Sequence, residues 1–148
     1  MSYANNPKAH FDYEILETFE TGLVLSGNEV KAIRAGKVSI HGSYVKILGG
    51  EAYLVGALVS PYQANNIPEN YDTQRTRKLL LKKKELRYLT EKSQEAGLTL
   101  VPLKLYDNHG LIKLDVGVAR GKKKYDKREK IVKRETERKL LRMVKSKK

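Results

Sequence analysis

The stretch from Leu98 to Ala119 reads LTLVPLKLYDNHGLIKLDVGVA. Two apolar-rich runs, Leu98 to Tyr106 and Leu111 to Ala119, flank Asp107-Asn108-His109-Gly110, a run of turn-forming residues. The pattern predicts an antiparallel hairpin. In the second run Leu114, Val116 and Val118 share one face, and Lys113 and Asp115 share the other, as a period of two requires. The hairpin sets the class as mainly β.

Working back along the chain, Lys82 to Ala96 predicts a helix. Leu86 and Leu89 lie three apart, Lys83 and Lys84 face outward, and Gly97 follows as a C-cap. Before it, Pro61 to Thr76 has no periodicity and reads as a long surface loop, of the length that tends to carry function. Ala52 to Val59 and Tyr44 to Leu48 read as strands around a Gly49-Gly50 hairpin turn, with Val38 to Ile40 a shorter strand. Leu23 and Leu25 alternate with Val24 and Ser26, and Gly27 breaks the run. Glu29 to Arg34 suits a short helical turn, with Val30 and Ile33 three apart and Gly36 placed to end it in the left-handed region. The glutamates at 14, 17 and 20 read as residues of solvated faces. The sum is about six short antiparallel strands with two or three helices. Among small barrels and sandwiches, this favours a small antiparallel OB-like barrel, an architecture that commonly binds oligonucleotides.

Charge divides the chain. The formal net charge is +13 over 148 residues. Gly121 to Lys148 contains 14 Lys and Arg against four acids and so carries +10, leaving +3 for residues 1–120. Two units follow: a barrel over 1–120 and a basic tail over 121–148. In the tail Ile131 and Leu140 point in opposite directions around a helix, as do Val132 and Leu141. No apolar stripe forms for docking on the body. The tail is expected to be disordered, or helical once it meets a partner. A charge this large on so small a chain implies a polyanion. Nucleic acid fits best, through release of condensed counterions, and an anionic membrane is the competitor.

No cysteine is present, which removes disulfides, thiolate chemistry and zinc knuckles and agrees with a reducing compartment. No apolar run approaches the length that spans a bilayer, and Met1 to His10 lacks a signal-peptide core. A cytoplasmic protein is expected. His10, His41 and His109 show no metal-ligand spacing, and no phosphate-binding glycine loop or nucleophile motif occurs. The expectation is no enzyme, no catalytic residue, no metal and no cofactor. A metal-dependent nuclease is the enzymatic alternative, and an OB-fold ribosomal or ribosome-assembly protein binding rRNA is the other.

Five motifs in order resemble one family. They are Gly27-Asn28-Glu29-Val30-Lys31-Ala32-Ile33-Arg34-Ala35-Gly36, Gly42-Ser43-Tyr44-Val45, Arg77-Lys78-Leu79-Leu80-Leu81, Leu100-Val101-Pro102-Leu103 and Ala119-Arg120-Gly121-Lys122-Lys123-Lys124-Tyr125-Asp126-Lys127-Arg128. Together they resemble the SsrA-binding (small protein B) family, partners of bacterial transfer-messenger RNA, over nearly the whole chain. The resemblance implies an OB-fold monomer that binds the tRNA-like domain of that RNA (tmRNA) and delivers it to stalled ribosomes in trans-translation. It also implies a tail that becomes helical along the empty mRNA channel, near 16S rRNA and the decoding centre. By the same resemblance Glu20, Leu80 and Lys113 bind RNA, joined by Asn6, Lys8, Arg77 and Lys78. Gly121, Lys122, Lys123, Lys124, Tyr125, Asp126, Lys127 and Arg128 act on the ribosome. Two departures stand out. Asn6-Pro7-Lys8-Ala9 has one basic residue where the family has two, and Leu105-Tyr106-Asp107 replaces Leu-Tyr-Phe.

Overall fold

A computed structural model describes residues 2–63, 65, 67 and 70–122. The hairpin that opens the sequence argument is its longest feature. Strand β8 (Leu98–Asn108) and strand β9 (Leu111–Gly121) pair antiparallel from Leu98↔Arg120 to Asn108↔Leu111. Their turn is two residues, not the four expected. His109 and Gly110 take φ of 52° and 79°, the primed-turn geometry that matches strand twist, and Asp107 and Asn108 belong to the strand. Pro102 lies where the register shifts, a place where a missing N–H is tolerated.

Two strands precede the region where the sequence shows clear alternation. Strand β1 (Ser2–Asn5) pairs with β8, and strand β2 (Tyr13–Leu23) runs along β9 from Tyr13↔Gly121 to Gly22↔Lys113. Helix α1 (Pro7–Asp12) joins them. The glutamates of β2 are not all solvated. Glu14 and Glu20 are exposed, whereas Glu17 is half-buried and accepts a short hydrogen bond from the Tyr88 hydroxyl.

Helix α2 (Gly27–Arg34) begins two residues before the expected turn. Ser26 is its N-cap: Ser26 Oγ accepts from Glu29 N–H at 3.2 Å and Ser26 N–H donates to Glu29 Oε1 at 2.9 Å, a capping box. Gly36, with φ of 79°, ends the helix as expected. Strands β4 (Tyr44–Leu48) and β5 (Glu51–Val55) form the hairpin over Gly49-Gly50. The predicted return strand is split at Gly56, whose φ is 85°. Its last part, β6 (Leu58–Val59), pairs instead with β3 (Val38–Ser39) as a separate ribbon. Strand β7 (Arg77–Leu80) and helix α3 (Lys83–Gln94) complete the chain before β8.

Seven strands form one antiparallel sheet in the order β1-β8-β9-β2-β7-β5-β4. The described residues hold nine strands, more than the six or so expected, because β1 and β7, of four residues each, are too short to show a period and the run 52–59 splits into β5 and β6. The ladder is open: among the described residues β1 and β4 are its edges, and β4 packs over β8 as the sheet curls. Curling encloses one apolar interior around Leu54, Leu79, Leu89, Leu100, Leu105, Leu114 and Val116. Burying each of these side chains stabilises the fold by about 1.5–3 kcal/mol, and a smaller cluster of Ala9, Val101, Leu103 and Ala119 packs α1 onto β8 and β9.

Candidate RNA interface

Three strands bring the main candidates together. In register, Gly22 of β2 faces Lys113 of β9 on one side and Leu80 of β7 on the other. Lacking a side chain, Gly22 leaves space between them. A Cβ there would lie 3.3 Å from Leu80 Cβ and 3.7 Å from Lys113 Nζ. Leu80 is 50% exposed, an apolar surface beside a cation. A cleft of about 290 Å³ opens next to them, lined by Leu25, Val30, Leu111 and Ile112 among others. Arg34 pins its rim: Nη2 donates to Gly110 O at 2.8 Å and Nη1 lies 3.4 Å from Asp107 Oδ1. This pair gives the departure at Asp107 a local role, since Asp107 Oδ2 also accepts Gly110 N–H at 3.3 Å.

Glu20 stands two residues before Gly22 on the same face of β2, opposite Asp115. Its Oε2 accepts from Tyr106 Oη at 2.5 Å, and both carboxylate oxygens lie 3.2 Å from Asn108 Nδ2. The Tyr106 hydrogen bond holds the Glu20 carboxyl below its ordinary pKa. Burial opposes this, and Asn108 with the charges of Lys113 and His109 reinforces it. Glu20 is thus a fixed anion within a patch that also contains cations. An anion repels phosphate but accepts hydrogen bonds from base edges, which unpaired nucleotides expose. The patch offers an acceptor at Glu20, an apolar contact at Leu80 and a cation at Lys113.

The other candidates do not all join it. Arg77 is inside the protein, 1% exposed. Its Nε donates to Glu29 Oε2 at 2.6 Å, Nη1 to Ala57 O at 2.8 Å and Nη2 to Thr73 O at 3.2 Å. The expectation that Arg77 touches RNA is corrected, because alternation along β7 turns it inward with Leu79. Lys78 shares the outer face with Leu80 and lies 3.6 Å from Glu51. Asn6 is also buried: its Nδ2 donates to Pro102 O at 2.9 Å and its N–H to Leu103 O at 3.0 Å. It satisfies carbonyls at the β8 irregularity and has little surface left for RNA. Lys8 is exposed on α1, beside a second cleft of about 260 Å³ with Asp12, Tyr13 and Tyr44. That cleft is at the Tyr13 end of β2, about 30 Å along the strand from Gly22.

Gly121 is the last residue of β9 and pairs with Tyr13. Lys122 continues the tether through N–H to Asp12 O at 3.0 Å and Nζ to His10 O at 3.1 Å. Lys123, Lys124, Tyr125, Asp126, Lys127 and Arg128, and with them the expectation for the tail, lie outside the described residues.

Sequence reasoning missed Gly22, Arg34, Tyr106, Asn108 and Asp115. Placing the turn at His109-Gly110 would have paired Tyr106 with Lys113 and put Tyr106, Asn108 and Lys113 in one patch. Among the described residues no helix is long and apolar enough to cross a membrane.

The model of the family described as "SmpB protein" matches residues 3–146. An SsrA-binding protein of Thermosynechococcus vestitus is 49% identical over 142 residues, covering 96% of this chain and 93% of the relative. One from Anoxybacillus flavithermus is 52% identical over 137 residues, covering 93% and 88%. Among solved structures, a chain from "tmRNA-SmpB: a journey to the center of the bacterial ribosome" superposes with a TM-score of 0.67. It is 50% identical, with 81% of this chain and 84% of that one covered.

Proposed function

The chain belongs to the SmpB protein family, and from that membership we propose that it binds the tRNA-like domain of transfer-messenger RNA and brings it to stalled ribosomes. The observation that carries the reading is the full-length match to SsrA-binding relatives, joined to an outer-face patch that suits an unpaired base. Glu20 accepts, Leu80 offers an apolar surface, and Lys113 supplies positive charge to phosphate. Lys78 and Lys8 add diffuse attraction, which contributes affinity but no sequence information. Arg77 and Asn6 support the surface from within.

The protein works in this reading as a binding subunit in the cytoplasm, without chemistry of its own. The body over 1–120, extended by the pairing of Gly121 and the tether at Lys122, grips the RNA. The basic tail, including Lys123, Lys124, Tyr125, Asp126, Lys127 and Arg128, acts after delivery, along the empty messenger channel.

A chain ending after Lys122 tests the division. It should keep most of its affinity for the tRNA-like domain at moderate salt and lose peptide tagging on stalled ribosomes. Loss of all RNA affinity in the shortened chain would refute the two-part reading. Stoichiometric retention on salt-washed ribosomes lacking transfer-messenger RNA would point to a ribosomal component instead.

A further inference from the structure

Tyr106 places one hydroxyl between two carboxylates. Its Oη is 2.5 Å from Glu20 Oε2 and 2.6 Å from Asp115 Oδ1. Glu20 and Asp115 face each other across β2 and β9. Like charges directly opposite on neighbouring strands repel, so without a shared donor the two groups would swing apart. A phenol has one hydrogen. It serves one carboxylate at a time, so Glu20, which Asn108 Nδ2 also reaches at 3.2 Å, and Asp115 compete for the single phenol hydrogen. Both distances are in the range of charge-assisted bonds. Burial first, then the bonds to Asp115 and Glu20, push the Tyr106 hydroxyl above its ordinary pKa, so it remains a donor at neutral pH. Lys104 Nζ sits 5.1 Å from the Tyr106 ring centroid, a second cation beside the carboxylates.

We infer that Tyr106 is the positioning residue for Glu20: its hydroxyl holds that carboxylate on the face shared with Lys113 and Leu80, aimed at a hydrogen-bond donor on the edge of an unpaired base. The inference rests on the proposed RNA-binding function and specifies the chemistry of its central contact. Two carboxylates at the centre repel phosphate, so the group that enters there is a base imino or amino N–H. That N–H can replace the phenol hydrogen on Glu20. When it engages Glu20, the Tyr106 hydroxyl is released to Asp115, and both carboxylates are satisfied at once. Phosphates fall on Lys113 at the flank.

The test is a double-mutant cycle on the full chain, with the tRNA-like RNA as probe. Glu20→Gln should weaken binding about tenfold, the scale of one lost base-edge contact. Tyr106→Phe should weaken it several-fold in the native background, and by less than about twofold when Glu20 is already Gln. Asp115→Asn added to Tyr106→Phe should restore part of the affinity, because it removes the repulsion that the hydroxyl held in check. Equal loss from Tyr106→Phe in both backgrounds, or no loss in either, overturns the inference. A Glu20→Gln chain with native affinity overturns it as well.

An RNA-free measurement separates this inference from the functional reading. The carboxyl carbon of Glu20, followed by NMR against pH, should titrate higher in folded Tyr106→Phe than in the native chain. If it does and the native chain ignores the RNA, the functional reading fails while the positioning role stands. If the titration does not move, the positioning role fails whatever the RNA does.

Discussion

Glu29 of α2 and Arg77 of β7, 48 positions apart, meet inside the protein with Arg77 Nε 2.6 Å from Glu29 Oε2. Glu29 is also the partner of Arg75, whose Nη2 lies 2.5 Å from Oε1. The same carboxylate closes the capping box on Ser26. One acid therefore joins the start of α2 to β7 and to the residues entering it. Removing one member of a buried pair leaves the other charge without compensation, at a cost of about 3–5 kcal/mol. Arg77→Ala should lower the stability read from the urea midpoint by less than that, because Arg75 still faces the Glu29 carboxylate. The Glu29→Gln/Arg77→Met double variant should lose less. Affinity for RNA per folded molecule should stay near native in both, because neither side chain reaches the outer face.

The same pair gives a pH dependence. Burial alone raises the Glu29 carboxyl, but the bonds from Arg75, Ser26 N–H and Arg77 outweigh it and leave the pKa below the ordinary 4.5. A group depressed in the folded state contributes stability that is present above its unfolded value and is lost as pH falls through its folded value. Urea midpoints measured downward from pH 6 should therefore fall below pH 4.5, and the drop should be shallower in Glu29→Gln. Parallel profiles for the two chains would rule out this contribution.

Gly22 is open to a direct test of shape. In Gly22→Ala the new methyl carbon meets Leu80 Cβ at a tight 3.3 Å and touches Lys113 Nζ at 3.7 Å. The φ of Gly22 is not in the left-handed region, so the backbone accepts alanine. The melting temperature should hold while RNA binding weakens by about 1 kcal/mol, roughly fivefold. A matching fall in melting temperature would instead make Gly22 a packing position.

Lys113→Ala examines the cation. If Lys113 neutralises one phosphate, the slope of log affinity against log salt should flatten by about 0.7–0.9. The loss should be similar across RNA variants, since a phosphate contact carries no base identity. Binding titrations at four salt concentrations decide it.

The hairpin at 98–121, helix α3 and the Gly49-Gly50 turn were legible because each has a strong local cause: alternation, helical spacing, or two residues free to take positive φ. Strand β2 was not. Its register shifts between Ile15 and Glu17, which moves the apolar positions out of step, and glutamates at every third place imitate a solvated helix face. Arg77 was placed at the RNA through the family resemblance, and the four residues of β7 are too few to show which way it faces. The partner that makes an inward arginine tolerable is 48 residues away and is defined only by the fold. Glu20, Leu80 and Lys113 came from family resemblance, and Tyr106 and Asn108 became visible only when the strands were paired.

Strand β9 acts as a ruler. It carries Lys113 near one end and Gly121 at the other, eight residues apart and therefore separated by roughly 26 Å. Hydrogen bonds to β2 and β8 flank the strand along its length, and Lys122 anchors its far end to α1. The chain beyond Lys122 thus starts at a set distance and bearing from the Glu20 patch. Under the proposed function, a span of this kind would convert the position of one bound RNA into the starting coordinate of a second contact.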